Sequence, residues 1–173
     1  LHRRAFNVGP FQAHCLMRQA GLVADVPKLP AHYPPSKGRV HAKVPNRLAR
    51  CFEVTVPGTV FGGDITYIPT QRGWLYLVVV MDLCARRIVG WALSATPDTT
   101  LVIRALRLAR PHRYPTQALR FHSDQVCQYT SEAFRRFLAQ EGITQSLSRR
   151  GNGGDNAPVE RFFRSPKSEW IRR

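Results

Sequence analysis

Three acidic residues stand in contexts that set them apart from ordinary surface charge. Asp64 lies inside an apolar stretch, VFGGDITYIP (60–69). Asp124 follows a short apolar run, ALRFHS (118–123), and Glu160 follows a glycine-rich loop, 150–155. A lone aspartate is usually a solvated surface charge. Three carboxylates delivered to strand ends of one sheet are a different case, because they repel one another unless a cation sits between them. Magnesium suits such a set, taking a few carboxylates and completing its shell with water and phosphate oxygens. Two Mg²⁺ or Mn²⁺ ions held this way activate an attacking oxygen and stabilise a leaving one in phosphoryl transfer.

Other residues near the acids have two readings each. Asn156 precedes Glu160 by one helical turn, which points to a contact with DNA or metal-bound water, or else to the helix N-cap, with Asp155 as rival for that post. His122 shares a strand face with Asp124, as a DNA contact or as a satisfied sheet histidine. Arg149, Arg150, Arg161, Arg164 and Lys167 surround Glu160 in sequence; they clamp phosphates or form a solvated basic face. Asp82, close to Cys84 and Arg86, shapes a hairpin turn and stays outside the site.

The acids need a framework. Residues 60–69, 74–82 and 87–94 read as strands, and the short gap between the last two predicts antiparallel hairpins. A helix starts at Pro97, with Leu101, Val102, Ala105, Leu106 and Ala109 at helical spacing, and Pro111 and Pro115 end it. Residues 118–123 form a strand that delivers Asp124. Residues 130–141 form a helix capped by Thr130 or Ser131 and stopped by Gly142. A short strand at 143–147 and a final helix carrying Glu160 follow. The order β-β-β-α-β-α-β-α predicts an α/β fold, a mixed sheet flanked by helices. Upstream, 10–24 reads as a short helix with Gly21 as C-cap, and 25–47 as an extended, proline-rich basic linker. The expected organisation is a helical remnant over 1–24, a basic linker over 25–50 and the core over 51–173.

Charge supports a polyanionic partner. Lys and Arg total 26 against 11 acids in 173 residues, a formal net of +15. Residues 1–50 hold nine Lys/Arg and one acid, so the acids gather where the three candidates lie. A field this positive attracts nucleic acid and speeds its capture. The cysteines at 15, 51, 84 and 127 lack zinc-ligand spacing and read as reduced thiols of a cytoplasmic protein. No apolar run reaches the length of a membrane span.

Four segments together resemble a known family. GDITYIPT (63–70), VVVMDLCARRIVGWALS (78–94), FHSDQVCQYTS (121–131) and SRRGNGGDNAPVERFFRSPKSEWI (148–171) are similar to the integrase-type catalytic core of bacterial insertion-sequence transposases made by frameshifting. Thirty-five residues separate Asp124 from Glu160, matching that family's D,D(35)E signature. HCLMRQAGLVA (14–24) resembles the end of the helical region that precedes the core. The resemblance implies a ribonuclease-H-like fold, with Asp64, Asp124 and Glu160 as a triad holding two Mg²⁺, for which Mn²⁺ substitutes. It implies cleavage and transfer of DNA strands: water, then a 3′-hydroxyl, attacks a phosphodiester, with no covalent protein intermediate. Implied partners are the DNA ends of a mobile element, target DNA, further copies of the chain and a first-frame helix-turn-helix protein. The implied setting is the bacterial cytoplasm, at the nucleoid. The alternatives are a truncated, inactive remnant that only binds DNA, and a ribonuclease acting on RNA–DNA hybrids.

Four positions depart from the family pattern. Val126 replaces a usual Gly, which predicts about 1–3 kcal/mol of strain if φ is positive there. Gly154 replaces a Trp, loosening the loop that aims Glu160 by roughly 3 kcal/mol. Pro166 replaces a Leu, and an interior proline costs roughly 3 kcal/mol and kinks a helix. Phe61 replaces a Trp, a mild change. With the chain starting at Leu-His-Arg-Arg and stopping at Arg173, these predict a truncated copy that keeps fold and triad but has little activity.

Overall fold

The computed structural model describes residues 10–22, 44–114, 117–149 and 153–169. Much of the expected linker, and Arg150, lie outside them. The chain divides into two units, Leu1–Lys37 and Gly38–Arg173. Within the first, helix α1 spans Pro10–Gln19 and ends at Gly21, whose φ of 66° suits a residue without a Cβ.

The second unit is built on a five-stranded sheet. Strands β1 (Val60–Thr70), β2 (Gly73–Asp82) and β3 (Arg87–Ser94) form an antiparallel meander. Strands β4 (Arg120–Ser123) and β5 (Thr144–Leu147) join parallel to β1, giving the order β3-β2-β1-β4-β5. The β2–β3 turn is set by Asp82, as expected: Oδ1 accepts from the Cys84 amide at 2.9 Å and Oδ2 from the Gly58 amide at 2.9 Å. Asp82 is thereby committed to the turn.

Helix α2 (Thr99–Ala109) crosses one face of the sheet. Asp98 caps it, accepting the Leu101 amide at 2.8 Å, so the helix starts two residues later than Pro97 suggests. Its apolar stripe is buried as spaced, and it lies so close to β3 that a Cβ on Gly90 would stand 2.3 Å from the Ala105 carbonyl oxygen. A short helix unseen in the sequence, α3 (Cys127–Thr130), precedes α4 (Glu132–Gln140). Ser131 caps α4, accepting from the Phe134 amide at 3.2 Å. Helix α5 (Ala157–Glu169) covers the opposite face, after a 3₁₀ turn at Gly153–Asn156.

Helices on both faces explain why β2 reads as a continuous apolar run. Val78 and Val80 join Phe61, Phe121, Tyr129 and Phe134 beneath α2 and α4. Val79 and Met81 join Val60, Leu83, Val159 and Phe163 beneath α5. Phe121, Tyr129 and Phe134 pack ring against ring with centroids 5.6–5.7 Å apart. Each such buried aromatic contributes about 1.5–3 kcal/mol.

Two expectations are corrected. Residues 44–50 belong to the folded core: Leu48 is 3% exposed within the α5-side cluster, and Val44 packs on the other. Two apolar residues in a polar, proline-bearing stretch carry no periodicity, so the sequence shows only a linker. Val126 has φ −72°, a conformation any residue adopts, and its side chain packs against the core, so no strain arises. Helix α5 runs through Pro166 to Glu169, so this helix carries an interior proline, which has no N–H to give to the carbonyl four residues earlier.

Candidate active site

The three acids come from three elements on the α5 side of the sheet. Asp64 lies on β1, in register with Val79 of β2. It alternates with Val60 and Gly62, and so shares their face. Gly62 allows α5 to lie close to β1, because a Cβ there would stand 2.7 Å from Cγ2 of Val159 and 3.0 Å from Cδ2 of Leu83. Val159 is fully buried, and the next residue, Glu160, turns outward and is exposed. Asp124 stands just past the end of β4.

Asp64 Oδ1 accepts from the Ile65 amide at 2.7 Å. Asp124 is mostly buried, and its Oδ1 has no hydrogen-bond partner among the described residues. Burial pushes the Asp124 carboxyl up to about 6; a hydrogen bond from the Val126 amide opposes this, and the charge of Glu160 adds to it. Tyr129 is fully buried beside the acids, and its phenol is held well above the usual range by burial first, then by the charges of Asp64 and Asp124. Asp124 is thus in electrostatic contact with Glu160, and both aspartates with Tyr129. Among the described residues, no group of three His, Cys, Asp or Glu side chains closes into metal-ligating geometry.

His122 and Asn156 are both buried in the fold. His122 is 0% exposed, with Nδ1 2.9 Å from Ser146 Oγ and Nε2 2.8 Å from the Asp155 carbonyl oxygen. Burial lowers its pKa, so the ring is neutral, with Nε2–H donating to the carbonyl and Nδ1 accepting the serine hydroxyl. Asn156 is 2% exposed and donates from Nδ2 to the Gly63 carbonyl at 3.2 Å. That bond reaches across to β1, while the Asn156 Oδ1 is buried with no hydrogen-bond partner among the described residues, so it makes no N-cap bond there. Both residues are interior because α5 and the segment before β1 close over this face.

Asp155 is the residue that sequence reasoning undervalued. Its fully buried carboxylate accepts from Arg50 Nε at 2.8 Å, Asn46 Nδ2 at 2.9 Å, the Arg149 amide at 2.9 Å, and Arg149 Nε and Nη2 at 3.0 and 3.1 Å. The Arg149 side chain above all, then its amide and Arg50, hold the carboxyl far below the usual carboxylate range. A short polar loop showed only a capping candidate; the partners at 46 and 50 lie more than a hundred residues away. Gly154 borders this hub, and a Cβ there would meet the Arg50 guanidinium at ordinary contact, 3.5 Å. Of the five expected phosphate-binding residues, Arg149 and Arg161 are exposed. The Arg164 and Lys167 side chains, like Arg150, lie outside the described residues.

A mixed five-stranded sheet in this order, with helices on both faces, is the ribonuclease-H-like α/β class. The HTLV-2 integrase catalytic core domain in complex with magnesium, in a trimeric form, superposes with a TM-score of 0.53 at 18% identity, covering 65% of this chain and 69% of that one. The integrase core domain family matches residues 55–153. The chain is 36% identical over 171 residues to the transposase for insertion sequence element IS904 of Lactococcus lactis subsp. lactis (strain IL1403), covering 99% of this chain and 67% of that protein. It is 36% identical over 169 residues to transposase InsF for insertion sequence IS3A of Escherichia coli (strain K12), covering 96% of this chain and 57% of that one. The chain belongs to the insertion-sequence transposases that carry an integrase core. It spans between about half and two thirds of the length of these relatives.

Proposed function

We propose that this chain is the catalytic core with which a transposase cuts and joins DNA strands, using Asp64, Asp124 and Glu160 as a carboxylate set for Mg²⁺. The observation that carries the reading is Asp124. A mostly buried carboxylate with an unpartnered oxygen, raised to about 6 by burial and by Glu160, is stabilised by a cation placed between the two acids. All-oxygen donors suit Mg²⁺, or Mn²⁺ in its place. When bound, such an ion supplies Lewis-acid activation of a phosphodiester and of the attacking oxygen.

The chain's own residues supply placement and counter-charge. Gly62 and Val159 set the distance of α5 from β1, and Asn156 ties the start of α5 to the residue before Asp64. Tyr129, fully buried, lies near enough to both aspartates for their charges to act on its phenol. Arg161, next to Glu160 in the chain, and the part of Arg149 left open by its pair with Asp155 are exposed and would neutralise DNA phosphates. Joining two element ends to a target calls for more than one copy of the chain on the DNA. A helix-turn-helix companion and the bacterial nucleoid complete the expected setting.

The test is Mn²⁺-dependent nicking and strand joining on a branched DNA oligonucleotide, with the chain beside Asp64→Asn. Cleavage by the unaltered chain alone, with DNA binding kept by both, supports the reading. DNA binding without cleavage by either points to a remnant that only binds DNA. Loss of both binding and fold in Asp64→Asn makes the acid structural.

A further inference from the structure

We infer that a second phosphate-binding site for duplex DNA lies at the N-terminal ends of β1 and β4, four residues along the chain from Asp64 and Asp124, formed by Arg47 and Arg120. The inference rests on the proposed action on DNA. Arg120 opens β4 and Val60 opens β1, paired in parallel register. On that strand Arg120, His122 and Asp124 alternate onto one face, so Arg120 and Asp124 stand about 13 Å apart along it.

A solvent-open cavity of about 380 Å³ lies at that end, walled by the 47–60 segment together with Gln117 and Arg120. The Arg120 Nε is buried there with no hydrogen-bond partner among the described residues. A guanidinium N–H left in this way is costly, and a charged acceptor offsets the cost. Arg47 projects from the same wall; its backbone amide is anchored on Ser146 Oγ at 2.9 Å, which fixes the start of its side chain. Neither arginine forms an ion pair among the described residues, although four other arginines do. Glu53 lines the cavity too but is exposed and pairs with neither.

The built ligand is therefore an oxyanion met by a planar, multi-donor cation, which is how arginine holds phosphate. In a protein with a net charge of +15 the natural source is a nucleic-acid backbone. Duplex DNA carries one charge per ~1.7 Å of axis, so a duplex engaged at the acids presents phosphates across a span of about 13 Å. Arg149 and Arg50 keep half or more of their side-chain surface exposed while held on Asp155 and add positive charge to the same unit. Fixing the 44–50 segment onto Asp155 thus also assembles the second site.

The test is fluorescence anisotropy of the whole chain on a labelled duplex of about three helical turns, without divalent metal, across a salt series. Arg47→Gln with Arg120→Gln is compared with Arg136→Gln, an exposed arginine on α4. The double variant is expected to bind about tenfold more weakly, with a log K against log salt slope shallower by about 2. Arg120→Lys, which keeps the charge, recovers part of the loss. If Arg120→Gln lowers the thermal transition, Arg47→Gln alone carries the test, with a slope shallower by about 1. Binding by the variants equal to that of Arg136→Gln overturns the second site and leaves the proposed function standing. A parent chain that binds no duplex overturns both.

Discussion

Asn156, the last residue before helix α5, donates its side-chain amide to the carbonyl of Gly63, the residue that precedes Asp64. One hydrogen bond therefore ties the helix that carries Glu160 to the strand that carries the first aspartate. Asn156→Ala removes it, leaving a buried carbonyl unpaired at a cost of about 1–3 kcal/mol. Because a small displacement of reacting groups costs up to roughly 100-fold in rate, strand cleavage should fall by tenfold or more. DNA affinity should stay unchanged. Single-turnover nicking beside anisotropy checks this; equal losses in both would mean that Asn156 touches DNA.

Gly62→Ala should weaken the fold by about 1–3 kcal/mol, because the new methyl meets the stiff, branched Val159. Val159→Ala in the same chain makes room and should recover part of that stability. The coupling is read from denaturant midpoints of the four chains in a double-mutant cycle.

Acid should lower the protein's stability over two pH intervals. His122 is neutral in the fold with its pKa below the ordinary 6.5, whereas the unfolded ring takes a proton at that pH. Stability is thus lost as pH falls below about 6.5. Asp155 is held far below its ordinary 3.8, so its contribution is complete above that value and is lost as pH falls beneath it. Asp155→Asn should lower stability at pH 7 by roughly 2–4 kcal/mol and flatten the second interval. Thermal melts of both chains across the pH series show whether the two curves converge in acid.

Asp124 carries the opposite sign. Its folded pKa of about 6 lies above the ordinary 3.8, so the ionised form opposes folding as pH rises through that interval. Without divalent metal at pH 7, Asp124→Asn should raise stability by about 1–3 kcal/mol. Adding Mn²⁺ should raise the melting temperature of the unaltered chain and leave that of the variant unchanged. A variant that melts lower in metal-free buffer would show that the carboxylate is structural.

Much of the framework was readable because its signals are local. Alternation around Asp64, the valine-rich run of β2, the α2 stripe and the Ser131 cap each depend on residues a few positions apart, and these four elements start within two or three residues of their expected places. The order of elements predicted a mixed sheet, since hairpins leave strands antiparallel and helical crossovers leave them parallel. The three acids stood out for the same reason, by context and spacing along the chain.

What tertiary structure decided was the direction and company of the polar side chains. His122 and Asn156 are interior because α5 and residues 44–50 close over that face of the sheet. Asp155 became a hub because Asn46 and Arg50 reach it from more than a hundred residues away. Val126 is relaxed because the chain turns into α3 at negative φ. Sequence by itself determined the elements and the acids they carry, since both follow from short-range patterns. Burial, pairing and pKa depend on contacts between residues distant in the chain, and only the packed fold sets them.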